Sequence, residues 1–176
     1  IGPLVVDNQA GDDAWRSAGG TLYNVDFQDP QAGIQGLEYA VYSATGLTGT
    51  NLKPWTPIAL NVNATEYLTD WAVDFAALQQ GTNYVSVRAS DTLGNLTTGL
   101  DVFFVRKETT KPTITDNQAG DTVWRNVAGT LYNVDFADTG GSLLDRAEYT
   151  VWTSTGQTGS QLKPWTTIFI GLGLAD

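Results

Sequence analysis

Two stretches of this chain are near-copies of each other, and that constrains the fold more than any other feature. DNQAGDDAWRSAGGTLYNVDF begins at Asp7 and DNQAGDTVWRNVAGTLYNVDF at Asp116, identical at 16 of 21 positions at an offset of 109. EYAVYSATGLTGTNLKPWT from Glu38 recurs as EYTVWTSTGQTGSQLKPWT from Glu148 at an offset of 110, which places a one-residue insertion in the loop between Asp29 and Glu38. A period near 109 residues is too long for a solenoid unit and suits an independently folding domain. The expectation is a complete repeat over 1–110, a short stiff linker over 111–115 marked by Thr, Lys and Pro, and a second, truncated copy over 116–176 that stops at the position matching Glu66.

Within the first copy the hydrophobic period is two. In TLYNVDF, Tyr23, Val25 and Phe27 share one face; in LEYAVYSA, Leu37, Tyr39 and Val41 do the same. PLVV at the start, PIALNV near Ile58, DWAVDF at Asp70, NYVSVRAS at Asn83 and LDVFFVRK at Leu100 add further strands, about seven in all. Turns such as QQGTN and DTLGN separate them, and FAALQQG allows a single helical turn. LKPW reads as a loop.

Seven short strands in about 110 residues is the arithmetic of an immunoglobulin-like sandwich. LQQGTNYVSVRASDTLGN resembles the E–F corner and F strand of fibronectin type III and bacterial Ig-like domains, on Leu78, Gly81, Tyr84, Val85, Val87 and Ala89. The resemblance implies tandem all-β Ig-like sandwiches, the second incomplete, with Tyr84 as the candidate tyrosine-corner residue. Val85 follows Tyr84 directly, so the inward phase is either Tyr84, Ser86, Arg88 or Val85, Val87, Ala89; the second avoids burying an arginine. Such domains recur in large bacterial surface proteins, so the resemblance also implies an extracellular, cell-surface stalk, adhesin or filament, with neighbouring repeats or identical subunits as partners.

Composition narrows the chemistry. With 19 acidic and 9 basic residues the net charge is -10, the wrong sign for nucleic acid or an anionic membrane. The absence of Cys and His removes disulfides, thiolate sites, imidazole–zinc sites and His-dependent triads. No apolar run reaches the roughly 20 residues of a transmembrane helix.

The remaining candidates each have a plain structural alternative. Asp7, Asp12, Asp13, Asp116 and Asp121 supply hard oxygen ligands near the start of each repeat, so calcium is the candidate cofactor; the alternative is a set of solvated Asx turns. Trp15, Trp55 and Trp152 are the candidates for stacking on sugar rings, the alternative being core covers. Lys53 and Glu38 raise a lysine–asparagine isopeptide bond, and Asn63 and Asn95 fit the glycosylation sequon. Carboxylates such as Asp26 and Asp29 lack the cleft that a glycosidase needs, so no enzyme is expected. The expected function is a structural or adhesive repeat module, a spacer or assembly unit; a carbohydrate-binding module of a secreted protein is the rival. If the second copy lacks its later strands, either a longer repeat protein or a neighbouring chain supplies them.

Overall fold

The computed structural model describes residues 1–9, 13–119 and 122–174, the side chains of 172–174 excepted. The chain is all-β, with two single 3-10 turns among the described residues, and divides into two compact units, Ile1–Thr109 and Thr110–Asp176.

Unit 1 contains β1 (Leu4–Asp7), β2 (Trp15–Arg16), β3 (Val25–Gln28), β4 (Ile34–Ala44), β5 (Thr48–Ala64), β6 (Glu66–Tyr67), β7 (Gly81–Asp91) and β8 (Leu96–Lys107). They form a three-stranded sheet ordered β1-β3-β6 and a five-stranded sheet ordered β2-β8-β7-β4-β5. The period-2 pattern explains why both sheets share one core. Val25 and Phe27 from β3 meet Leu37, Tyr39 and Val41 from β4, with Val85, Val87, Ala89, Phe103 and Val105 from β7 and β8. Tyr23 stacks on Phe103 at 4.5 Å between ring centroids, and Trp71 meets Phe103 edge-on at 5.8 Å. The β7 alternation adopts the phase that buries Val85, Val87 and Ala89 and leaves Arg88 on the outer side.

Three local expectations change. DWAVDF is not a strand. Trp71 exchanges two backbone hydrogen bonds with Tyr23, at 2.7 and 3.2 Å, and the following residues turn into a 3-10 turn at Phe75–Ala77. Side chains satisfy its backbone instead of a ladder: Asp74 N–H donates to the Tyr39 hydroxyl, and Lys107 Nζ donates to the carbonyls of Phe75 and Leu78. The segment thus keeps its alternating apolar faces, with Trp71 and Val73 buried, while crossing the core instead of pairing along it. LKPW lies inside β5, not in a loop; Lys53 stands opposite Val41. Tyr84 does not enter the core at the corner; its ring lies near Phe104, 6.5 Å away, on the outer face. Asn83, fully buried, ties the corner. Its Oδ1 accepts the Gln79 N–H at 3.0 Å, and its Nδ2 is directed at the carbonyls of Gln79, Gly81 and Val105.

The long β5 is irregular. Its pairing with β4 shifts register repeatedly, Pro54 and Pro57 interrupt its donors, and Asn61 and Asn63 take positive φ of 53° and 50°.

Unit 2 repeats half of this plan. β9 (Thr113–Asp116) pairs antiparallel with β10 (Val134–Ala137), and β11 (Leu144–Ser154) with β12 (Thr158–Leu174). Their registers reproduce β1 on β3 and β4 on β5, down to Tyr149 opposite Thr166 and Val151 opposite Lys163, where unit 1 has Tyr39 opposite Thr56 and Val41 opposite Lys53.

Replacing Asn83 with Ala leaves the Gln79 N–H and the facing carbonyls buried without their partner. Urea unfolding should show unit 1 less stable by about 2–3 kcal/mol. A loss under 0.5 kcal/mol would remove the corner role.

Candidate functional site

The aspartates proposed for calcium are engaged locally. Asp7 Oδ1 accepts the Gln9 N–H at 2.9 Å, Asn8 Nδ2 donates to Asp26 Oδ2 at 2.7 Å, and the Gln9 amide oxygen accepts the Asn24 N–H at 2.6 Å. The second repeat copies this set: Asp116 accepts from Gln118, Asn117 donates to Asp135, and Gln118 accepts from Asn133. The Asp7–Gln9 and Asp116–Gln118 bonds are Asx turns, and the other bonds lace β1 to β3 in the first repeat and β9 to β10 in the second. Asp13 is exposed and pairs with Arg106 at 3.1 Å, so a cation already stands beside it. Asp12 and Asp121 lie outside the described residues. Among the described residues, no three acidic side chains converge on one point.

Trp15 and Trp55 lie on the outer face of the five-stranded sheet, towards its opposite edges. Between them runs a band of Tyr42, Tyr84, Phe104 and two arginines. The Arg88 guanidinium sits over the Trp55 ring at 4.5 Å while its Nε donates to Glu38 at 2.6 Å. Arg106 lies over Trp15 at 5.6 Å and over Phe104 at 5.4 Å. Each indole thus has a guanidinium over it, a contact of about 0.5–1 kcal/mol at a partly exposed site. Trp152 belongs to unit 2, on β11, and its indole Nε1 is buried without an acceptor.

Lys53 does not meet an asparagine in the core. Its Nζ pairs with Asp74 Oδ2 at 2.7 Å. That hydrogen bond holds the Asp74 carboxyl below its ordinary value and the Lys53 ammonium above its own.

The feature without counterpart in unit 1 is the uncovered inner face of unit 2. Tyr23 is 2% exposed and its equivalent Tyr132 67%; Tyr39 is 5% and Tyr149 43%; Val41 is 0% and Val151 41%. The reason is topological. In unit 1, β4 pairs with β5 on one side and β7 on the other, and β7 and β8 supply half of the core. Among the described residues β11 pairs with β12 alone, so one edge of the strand keeps its N–H and C=O groups unpaired by a ladder. Phe136 and Phe169 meet edge-on at 6.3 Å between centroids, and Leu144 and Ala147 are buried. Beside them opens a groove of about 570 Å³ lined by Thr115, Val134, Phe136, Leu144 and Phe169. Val25, Phe27 and Ile34, equivalent to three of these, are completely buried in unit 1.

The outer side of the same strand pair is also half-assembled. Glu148 and Trp165 are equivalent to Glu38 and Trp55, which hold Arg88; Glu148 forms no ion pair among the described residues, and Trp165 is 56% exposed. Sequence reasoning passed over this pair. Its signal was the retention of both residues at the same offset of 110.

Two outcomes follow from these geometries. A depressed carboxyl contributes stability that is present above the unfolded value of about 3.9 and is lost as pH falls through the lower folded value. Asp74→Asn should therefore be less stable than the parent at pH 7, and the two should converge as pH drops below 4 in denaturant titrations; a constant gap down to pH 2 would contradict the pairing. In native-state hydrogen exchange, amides of β4 should be protected about 100-fold more than those of β11; equal protection would contradict the open edge. Comparison with protein-family models, curated proteins and solved structures finds no match to this chain.

Proposed function

We propose that this chain is a non-enzymatic structural repeat module of a bacterial extracellular surface protein or filament, built of Ig-like, fibronectin type III-like β-sandwiches and working as a spacer and assembly unit. The observation that carries the reading is the repetition of one strand plan: the registers of β1 on β3 and of β4 on β5 recur residue for residue as β9 on β10 and β11 on β12, the arrangement of a tandem repeat module. The two sheets of unit 1 around one core, with five of the six strand pairings antiparallel, support the Ig-like reading.

The rival, a carbohydrate-binding module, draws on Trp15 and Trp55. Both indoles already carry an arginine, which a sugar ring would have to displace from one ring face. The acidic composition is consistent with an extracellular location and gives no purchase for nucleic acid.

Light scattering and negative-stain microscopy across chain concentration test the reading. The chain should associate with rising concentration, and the double variant Tyr149→Glu, Val151→Glu should remain monomeric. A parent chain that stays monomeric at about 100 µM while binding a glycan array through Trp55 would replace the assembly reading with the rival.

A further inference from the structure

We propose that unit 1 carries tension along the chain, and that side-chain lacing beside its entry and exit strands is the device that holds the load. The proposal rests on the spacer reading for its use and gives that spacer a mechanical task.

The direction of pull follows from where the chain enters and leaves. It leaves unit 1 at the end of β8, passing through Thr109 into unit 2. It enters beside the beginning of the same strand: a Cβ on Gly2 would lie 2.6 Å from the Thr97 hydroxyl oxygen, and one on Gly99 would lie 3.7 Å from Val5 Cγ1. Further along, Trp15 and Arg16 of β2 pair parallel with Arg106 and Lys107. β1 and β2 thus follow β8 from its first residues to its last, in the same direction. Tension between entry and exit draws β8 towards its end and β1 and β2 towards their starts. Inter-strand hydrogen bonds lie across that line, so the pull loads them together instead of opening them one after another.

Side chains reinforce both places where the load arrives. At the entry, Asn8 Nδ2 donates to Asp26 Oδ2 and the Gln9 amide oxygen accepts the Asn24 N–H, fastening the residues after β1 to those of β3. The second repeat carries the same two fastenings beside β9 and β10. At the exit, four consecutive residues are held. Arg106 pairs with the Asp13 carboxylate, donates to the Asp13 carbonyl and lies over Trp15. Lys107 Nζ donates to the carbonyls of Phe75 and Leu78. The Glu108 N–H donates to the Arg16 carbonyl at 3.0 Å. Thr109 donates its N–H to Gln80 Oε1 and accepts from Gln80 Nε2 at its hydroxyl. These partners belong to the β2 segment, the 3-10 turn and the corner before β7. Each such contact is modest at equilibrium. Loaded in parallel they must yield in one step, which raises the barrier to forced unfolding more than it raises equilibrium stability.

The chain has no cysteine, so introduced pairs are the sole attachment points for single-molecule force spectroscopy on the full 176-residue chain. Ile1→Cys with Lys111→Cys pulls along the strands. Leu60→Cys with Leu96→Cys pulls across them, because Leu60, Gly36, Ser90 and Leu96 stand in one row from β5 to β8. All four attachment positions are exposed. At one loading rate the lengthwise pair should need about twice the force of the crosswise pair, and adding Gln80→Ala with Lys107→Met should lower the lengthwise force by about a third while leaving the crosswise force unchanged. Equal forces along the two axes would overturn load bearing, and that comparison needs no lacing variant to fold. A variant that lowers both forces alike would overturn the lacing as the load-holding device. Association is read separately by light scattering: its absence would count against the assembly reading and leave the difference between axes standing, whereas equal forces would sink the mechanical task alone.

Discussion

Pairing of β4 with β7 is the contact on which unit 1 depends. It is nearly free of register shifts, one occurring at Ile34/Gly36, and it does two things at once. On the inner side it sets three apolar residues of one strand opposite three of the other, giving the five-stranded sheet the apolar surface on which β3 can pack. On the outer side it brings Glu38 beside Arg88. A single register thus satisfies a core and an ion pair on opposite faces, so a slip of one residue would cost both. The open face of unit 2 is what the same half of that arrangement looks like without its partner.

The outer face of unit 1 shows how an acidic chain with few cations can use them. Arg88 and Arg106 each bridge a carboxylate and aromatic rings, while Lys53 and Lys107 fasten the turn around Asp74. Four of the nine basic residues are thereby committed to holding elements of unit 1 together. Since these groups are partly exposed, each contact is modest, and their value is mainly geometric: they fix where flat sheet meets irregular chain.

Much of this was legible in the sequence because β-strands advertise burial with a period of two. Val25 and Phe27, Leu37 to Val41, and Val85 to Ala89 could be placed by alternation alone. What escaped was set by backbone satisfaction, which has no period. DWAVDF alternates like a strand, yet beyond the Trp71–Tyr23 backbone pair its Asp74 N–H and Phe75 C=O are met by the side chains of Tyr39 and Lys107 from distant positions. Asn83, one residue before the tyrosine that draws attention, carries four hydrogen bonds that no local pattern reveals. The spacing of the aspartates alone does not separate a metal site from an Asx turn; in the structure Asp7 accepts the Gln9 N–H, and the Gln9 amide oxygen in turn accepts the Asn24 N–H. The Glu148–Trp165 pair was present in the alignment of the two copies but acquires meaning only once Arg88 is seen between Glu38 and Trp55.

The irregular β5 has a consequence beyond its own geometry. It forms one border of the five-stranded sheet, and its prolines, left-handed asparagines and repeated register shifts spoil the ladder that an incoming strand would need. β12 carries the same Pro164 and a comparable series of shifts against β11. The strand pair of unit 2 therefore carries on β12 the same kind of border that closes the sheet of unit 1 at β5, so in both repeats lateral pairing is left to the first strand of the pair and the sheet can widen in one direction alone.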